Sequence, residues 1–263
     1  MTLLLDVGNS AIKWAELRDD GTLEHAQWQL HRSVADVASQ LIDRWRGVTP
    51  GAAVVACNVA GADMVAAVES VVHTLALGRL HWLRAQRRFD GPISLVNGYR
   101  DPLQLGADRW HCMLGACSFA ARPFVVVNAG TATTVDCVDT NGTDEARFIG
   151  RFVGGVIAPG VRLMLESLAR ETAGLLAAGG AAAAFPDNTD AAIVTGVLDA
   201  QAGLVQQVWH RFAARLATPP RLVLTGGNAP AILARLSIEG AAIEHNLVLR
   251  GLALRAQFDL SET

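Results

Sequence analysis

The sequence predicts an α/β protein made of two copies of one domain. Short apolar strands alternate with amphipathic helices along most of the chain, which is typical of α/β domains. A strand–turn–strand unit with the turn Gly8-Asn9-Ser10 lies near the start, and a similar unit with the turn 128–131 lies half a chain later. A recurring unit indicates a duplicated domain, although such units are also common by chance. We therefore expect one domain over residues 1–120 and a second over residues 121–263.

The composition fits a folded protein of this size and argues against several other classes. The chain has 263 residues, of which 51% are hydrophobic and 18% charged, so it is not disordered. A net charge of −3 without a basic stripe argues against a nucleic-acid partner. The first apolar run ends at Asp6, too early for a signal peptide, and the weakly polar stretch 174–185 is shorter than the ~20 residues of a membrane helix. We expect a cytoplasmic protein with no membrane partner.

The cysteines do not indicate a metal or redox site. They form no Cys-x-x-Cys pair, and histidines do not cluster near them in the sequence. We expect free, buried thiols in a reducing compartment. The four cysteines are Cys57, Cys112, Cys117 and Cys137.

The elements of the first half follow from the spacing of apolar residues. Apolar runs on both sides of the first glycine turn predict a hairpin of two strands, 2–7 and 11–17. Apolar residues that share one helical face predict a helix over 34–45. The other predicted elements are strands at 52–57 and 80–83, helices at 62–77 and 106–120, and mostly loop at 84–102.

The second half repeats the alternation of strands and helices. Strands are predicted at 124–127 and 133–138, on either side of the second glycine turn, and at 221–224. The segment 148–157 follows the second hairpin and is given no element type. Helices are predicted at 161–175, 191–217, 230–236 and 247–258. An Ala/Gly-rich segment, 173–190, is interpreted as a connection or flap.

The first hairpin carries residues suited to phosphate binding. Asp6 ends a buried strand, and a carboxylate in this position can hold hydrated Mg²⁺. Small turn residues such as Gly8 can present backbone N–H groups to phosphate oxygens, and Lys13 adds a positive charge. An ordinary hairpin with an Asx turn is an alternative that this segment alone leaves open.

Two further glycine turns follow predicted strands. The second hairpin offers Gly130 and Thr131, and the third turn is Thr225-Gly226-Gly227. Exposed amides and hydroxyls suit phosphate oxygens, although a Thr-rich strand and a tight turn also explain these residues. Neither GxxxxGK[ST] nor GxGxxG occurs, so ATP binding would have to use paired hairpins.

The candidate catalytic segment is Gly106-Ala107-Asp108-Arg109-Trp110. Asp108 falls in the first turn of a predicted helix, where the helix dipole favours its ionised form. An ionised Asp can accept the proton of an attacking hydroxyl, and Arg109 can bind a substrate carboxylate. The alternative is that Asp108 only caps the helix and Arg109 forms a surface ion pair.

Taken together, these segments resemble the motifs of the type III pantothenate kinases, some of which were first named Bvg accessory factors. They span most of the chain, and the ordered set is far more specific than any single motif. The matching segments are Asp6-Val7-Gly8-Asn9-Ser10-Ala11-Ile12-Lys13, Leu105-Gly106-Ala107-Asp108-Arg109-Trp110, Asn128-Ala129-Gly130-Thr131-Ala132-Thr133-Thr134-Val135-Asp136, Gly154-Gly155-Val156-Ile157-Ala158-Pro159-Gly160 and Thr225-Gly226-Gly227.

The resemblance implies a fold and a reaction. The fold is a pair of ribonuclease H-like domains of the acetate-and-sugar-kinase/Hsp70/actin superfold, with ATP bound between them. The reaction transfers the γ-phosphoryl group of Mg-ATP to the primary hydroxyl of pantothenate, which is the first step of coenzyme A biosynthesis. A homodimer is implied as well.

The resemblance also implies roles for individual residues. Asp108 is the general base and contacts the substrate. The other implied pantothenate contacts are Tyr99, Gly106, Ala107, Arg109 and Thr189, the last contributed across the dimer interface. The implied ATP contacts are Asp6, Val7, Gly8, Asn9, Ser10, Ala11, Ile12, Lys13 and Thr131, with Asp6 holding Mg²⁺ through phosphate or water.

Asn128 departs from the family pattern, which usually has Asp at this position. That Asp is associated with a monovalent cation, potassium or ammonium. The amide oxygen of Asn128 can still coordinate a cation but brings no charge, so the departure bears on cation dependence.

Two other functions fit parts of the pattern. A kinase of the same superfold acting on another hydroxylated substrate, such as a sugar, would share the hairpins, because function resides in the site. Tyr99 and residues 106–109 favour pantothenate instead. A non-enzymatic regulator that keeps the fold is favoured only by Asn128, whereas the retained Asp6 and Asp108 argue against it.

Overall fold

The computed structural model describes residues 1–31, 33–119, 122–140, 148–171 and 179–259. The chain divides into two compact units, Met1–Phe119 with Asn246–Thr263, and Ala120–His245. The sequence predicted one domain boundary, after residue 120, with the final helix in the second domain. In the structure this helix, α7 (Leu247–Asp259), belongs to the first unit.

The first unit contains a mixed five-stranded sheet in the order β3-β2-β1-β4-β5. Strand β1 is antiparallel to β2 and parallel to β4, β2 is antiparallel to β3, and β4 is parallel to β5. The strands are β1 (Thr2–Val7), β2 (Ala11–Leu17), β3 (Leu23–Leu30), β4 (Ala53–Asn58) and β5 (Leu80–Trp82).

The hydrophobic core of this unit lies under helices α1 (Val34–Trp45) and α2 (Ala62–Thr74). Leu3, Leu5 and Val7 of β1 join this core. Successive strand residues face opposite sides of a sheet, so Asp6 lies on the other face. The alternation in β1 therefore separates a core face from a face that carries a carboxylate.

Helix α7 packs against β1 and against helix α3 (Ala107–Cys117). Two glycines allow the backbones of these helices to meet. A Cβ atom on Gly115 would overlap the carbonyl of Leu247, and one on Gly251 would overlap the carbonyl of His111. Any larger residue at either glycine would push α7 away from the helix that begins at Ala107.

The prediction of mostly loop over 84–102 is wrong in part. The region contains an antiparallel pair, β6 (Arg88–Asp90) and β7 (Ser94–Asn97), followed by a 3₁₀ helix at Pro102–Gln104. Strands of three and four residues are too short to show periodicity. Strand β3 was also missed, because Leu23–Leu30 forms an edge with mostly exposed side chains.

The second unit repeats the topology of the first. Its strands lie in the order β12-β11-β8-β9-β10, with β8 antiparallel to β9 and parallel to β11, β9 antiparallel to β10, and β11 parallel to β12. The same order and directions relate β5-β4-β1-β2-β3, so both units begin with the same kind of hairpin. The strands are β8 (Phe124–Ala129), β9 (Ala132–Thr140), β10 (Ile149–Pro159), β11 (Arg221–Thr225) and β12 (Ala242–Ile243).

Helices α4 (Val161–Glu171), α5 (Thr189–Ala213) and α6 (Ala229–Leu233) complete the second unit. The predicted end of α4 at 175 and the first part of the predicted flap lie outside the described residues, since 172–178 are not described. The predicted α/β class with two similar halves is confirmed. Among the described residues, no helix is long and apolar enough to cross a membrane.

Candidate active site

Asp6 lies at the end of β1 between a lysine and a cysteine. The strand register creates this neighbourhood, because Asp6 is paired with Lys13 on β2 and with Cys57 on β4, and such pairs face the same side of a sheet. Nζ of Lys13 donates to Oδ2 of Asp6 at 3.4 Å, and the thiol of Cys57 donates to Oδ1 at 3.8 Å. The Asp6 side chain is 7% exposed, whereas the Lys13 side chain is 37% exposed. The strand end thus presents a carboxylate and an accessible ammonium beside the glycine turn.

Cys57 is a neighbour of the site that the sequence did not reveal as such. All four cysteines are free and buried, as expected. Burial raises the pKa of the Cys57 thiol well above its usual range, and the negative charges of Asp6 and Asp108 raise it further. Both carboxylates therefore act on one sulfur atom, and helix α3, which carries Asp108, packs against β4, which carries Cys57.

The turn at residues 8–10 is held by hydrogen bonds on two sides. The N–H of Gly8 donates to the carbonyl of Ala11 at 3.0 Å. His31, just beyond β3, donates its backbone N–H to the carbonyl of Ser10 at 3.1 Å, and its Nε2 lies 2.9 Å from the carbonyl oxygen of Gly8. His31 was not predicted as a neighbour of the turn, because β3 was not predicted and nothing in the local sequence relates this histidine to residues 8–10.

Asp108 lies in the first turn of α3, as predicted. Its Oδ1 accepts a hydrogen bond of 2.8 Å from the backbone N–H of Arg109. A Cβ atom on Gly106 would lie only 2.6 Å from this oxygen, so glycine leaves the space that the carboxylate occupies. Backbone N–H groups at a helix N-terminus attract negative charge, so the first turn of α3 suits a carboxylate.

Arg109 turns inward and meets Tyr99. The arginine is 4% exposed, and its Nη1 donates to the Tyr99 hydroxyl at 3.0 Å. Its guanidinium carbon lies 5.7 Å from the centre of the tyrosine ring. The backbone N–H of Tyr99 is held by Oδ1 of Asn97 at 3.1 Å. The sequence-predicted pair is therefore brought together, and the alternative that placed Arg109 on the surface is wrong.

The second unit carries the other glycine hairpin, and two glycine motifs enclose its turn. Gly160 donates its N–H to the carbonyl of Thr131 at 2.9 Å, and a Cβ atom there would lie 2.6 Å from the same oxygen. Gly226 has φ of +94°, and a Cβ atom there would lie 2.6 Å from the carbonyl oxygen of Ala129. The segments 154–160 and 225–227 thus hold the turn by close backbone approach, which only glycine permits.

Asn128 is the penultimate residue of β8. Its Oδ1 is buried and accepts no hydrogen bond from any described residue. A buried acceptor without a donor costs free energy unless a ligand or ion occupies the place next to it. An amide oxygen of this kind can act as a ligand of a cation.

Thr189 is the first residue of α5 and is exposed. The helix is capped by Asn188, whose Oδ1 accepts from the N–H of Ala191 at 2.9 Å. Asp6, Lys13, Tyr99, Asp108 and Arg109 belong to the first unit, whereas Asn128, Thr131 and Thr189 belong to the second. Within the described ranges, no group of three or more His, Cys, Asp or Glu side chains forms a metal site.

The repeated topology, with a glycine hairpin at the start of each unit, defines an α/β protein of the acetate-and-sugar-kinase/Hsp70/actin superfold. A solved structure with this fold, MreB5 of Spiroplasma citri bound to ADP, matches with a TM-score of 0.53 at 9% identity, covering 100% of this chain and 98% of that one.

The chain belongs to the type III pantothenate kinase family, whose model matches residues 2–211. The type III pantothenate kinase of Laribacter hongkongensis is 39% identical over 96% of this chain and 97% of its own length. That of Janthinobacterium sp. (strain Marseille) is 41% identical over 96% of both chains. The predicted family is confirmed.

Proposed function

We propose that this protein transfers the γ-phosphoryl group of ATP to the primary hydroxyl of pantothenate, the first step of coenzyme A biosynthesis. One observation carries the proposal. The Asp108 carboxylate at the start of α3 lies beside the buried Arg109–Tyr99 pair and in the same neighbourhood as Asp6. A base for the attacking hydroxyl, a cation for the substrate carboxylate and an acid that can hold Mg²⁺ together suit phosphorylation of a hydroxy acid.

Each group has a distinct role in this proposal. Pantothenate carries one carboxylate, which the guanidinium of Arg109 binds with support from the Tyr99 hydroxyl. Asp108 accepts the proton of the attacking hydroxyl. A buried guanidinium loses little to solvent screening, so it orients a small acid firmly.

ATP binding falls to the two hairpins. The backbone of residues 6–13 and the Thr131 hydroxyl contact phosphates, and Lys13 contributes a positive charge. Asp6 fits Mg²⁺, because it is a carboxylate at a strand end beside the glycine turn, and Mg²⁺ is bound by one or two carboxylates together with phosphate oxygens. Held there, Mg²⁺ would supply positive charge beside the phosphate oxygens.

A monovalent cation is proposed next to Asn128. The support is the buried Oδ1 that accepts no hydrogen bond within the described part of the chain. Since the amide is neutral, we expect potassium or ammonium to bind more weakly here than beside the Asp that is usual in the family.

A homodimer is proposed on the evidence of α4. None of its residues is buried, and Leu163 and Leu168 are 36% and 38% exposed. Ile157 and Phe185 of the same unit are 62% and 94% exposed. A second copy would cover these apolar side chains and bring Thr189 to the partner's substrate site. Sedimentation of a monomer at micromolar concentration would contradict this proposal.

A cytoplasmic location is proposed as well. All four cysteines are free, which suits a reducing compartment.

A coupled ADP-release assay with Mg-ATP and pantothenate tests the function, with sugars as control acceptors. Pantothenate-dependent release of ADP is expected, and it should rise on addition of potassium or ammonium. Release that depends on a sugar instead would favour another kinase of the superfold. No release under any cation would favour a protein that keeps the fold without the reaction.

A further inference from the structure

His31 is a half-buried residue that contacts the phosphate-binding turn but has no part in the reaction described above. It follows β3, the edge strand that pairs with β2. Its backbone N–H reaches the carbonyl of Ser10 at 3.1 Å. Its ring Nε2 reaches the carbonyl of Gly8 at 2.9 Å, so this nitrogen must carry the proton and donate. One residue thus holds two carbonyls of a three-residue turn.

The orientation of the turn amides follows from these two bonds. In a trans peptide the C=O of one residue and the N–H of the next point in opposite directions. A Gly8 carbonyl directed at the imidazole therefore turns the N–H of Asn9 away from His31. Within the described chain, the N–H of Asn9 donates no hydrogen bond to a backbone carbonyl. This amide is left available to a phosphate oxygen.

We propose that His31 is a positioning residue for the nucleotide, acting through the Gly8 carbonyl to aim the Asn9 amide at a phosphate. The inference rests on the proposed function in that the bound group is a nucleoside triphosphate. Without the imidazole, the peptide between Gly8 and Asn9 can rotate. The amide must then be ordered each time ATP binds, which weakens binding.

Two substitutions separate the hydrogen bond from the packing of the ring. His31→Leu keeps a similar volume and removes the donor. His31→Gln places an amide nitrogen near the position of Nε2. We expect His31→Leu to raise the KM for ATP and the Kd for Mg-ATP about fivefold, which is the change in affinity that corresponds to the loss of one ordinary hydrogen bond. His31→Gln should stay within about twofold of the wild type, and the KM for pantothenate should not change in either variant.

The matched control is His73→Leu, the same change at an exposed position of α2. It should leave both KM values unaltered. Equal rises in the KM for ATP and for pantothenate, or no rise in His31→Leu, would overturn the proposal. So would a His31→Gln protein as weak as His31→Leu.

A measurement on the wild-type protein covers the case in which His31→Leu does not fold. The amide resonance of Asn9 should shift when a non-hydrolysable ATP analogue with Mg²⁺ is added, and an unmoved resonance would overturn the proposal. The Kd for Mg-ATP and the shift of the Asn9 resonance are both measured without pantothenate. A wild type that binds ATP but does not phosphorylate pantothenate would therefore refute the proposed reaction and leave His31 testable.

Discussion

Replacing Gly226 by Ala should damage the second hairpin far more than replacing its neighbour Gly227. At Gly226 the backbone has φ of +94°, and a Cβ atom would lie 2.6, 2.7 and 2.9 Å from the O, C and N atoms of Ala129. All three are backbone atoms, so no side chain can rotate to make room. At Gly227 a Cβ atom would meet nothing within 4 Å.

The magnitude follows from these two environments. A non-glycine residue held at such a φ costs about 1–3 kcal/mol, and displacement of the Ala129 backbone adds to this cost. We expect Gly226→Ala to lower the free energy of unfolding by at least about 1 kcal/mol. It should also raise the KM for ATP, because the Ala129 backbone leads into the turn that contains Thr131. Gly227→Ala should change stability by no more than about 0.5 kcal/mol.

Hydrogen exchange of peptides from β8 and β11, read by mass spectrometry, measures the change within the second unit alone. Steady-state kinetics with ATP varied measures the effect on the hairpin. If both variants exchange at the same rate and share one KM for ATP, close backbone approach at Gly226 does not hold the turn.

Three further changes have defined outcomes. Asp108→Asn should lower turnover about 10²–10⁴-fold, the usual loss for a general base, and near-normal turnover would remove Asp108 from that role. Asn128→Asp should tighten activation by potassium, because it adds a negative charge beside the proposed ion, and unchanged potassium titration curves would refute this. Burial, with a smaller contribution from Arg255, lowers the pKa of His111 from 6.5 to about 3. The unfolded chain therefore takes up a proton below pH 6.5 that the folded chain does not, so stability should fall from pH 6.5 toward pH 3, by about 2 kcal/mol at pH 5. Urea unfolding against pH should show this loss in the wild type and a flatter profile in His111→Gln.

Much of the fold could be predicted because its signals are local. The hairpins on both sides of Gly8 and Gly130 follow from apolar runs that flank a turn, and the family follows from motifs in a fixed order. The elements that were missed lack such signals. Strand β3 is exposed at the sheet edge, and β6 and β7 are too short for periodicity.

The position of a candidate residue was predictable where it depends on the residue's own segment. Asp108 and Arg109 are consecutive, and the turn before them makes the helix start visible. The contacts of Cys57 and His31 were not predictable. Cys57 reaches the site because β4 pairs with β1, and His31 reaches it because it follows β3, a strand that was not predicted. Their roles, like those implied by the family for single residues, stay predictions until variants are measured.

The placement of α7 has a consequence for the order in which the protein is made. The second unit is one continuous stretch and can fold as it leaves the ribosome, whereas the first unit lacks a helix until residues 247–259 have been synthesised. That helix supports α3, which begins with the residues proposed to bind and activate the acceptor. The first unit is therefore the first to be translated and the last to be completed. Until α7 has been synthesised, α3 lacks the helix that packs against it, and so does the acceptor site at its start.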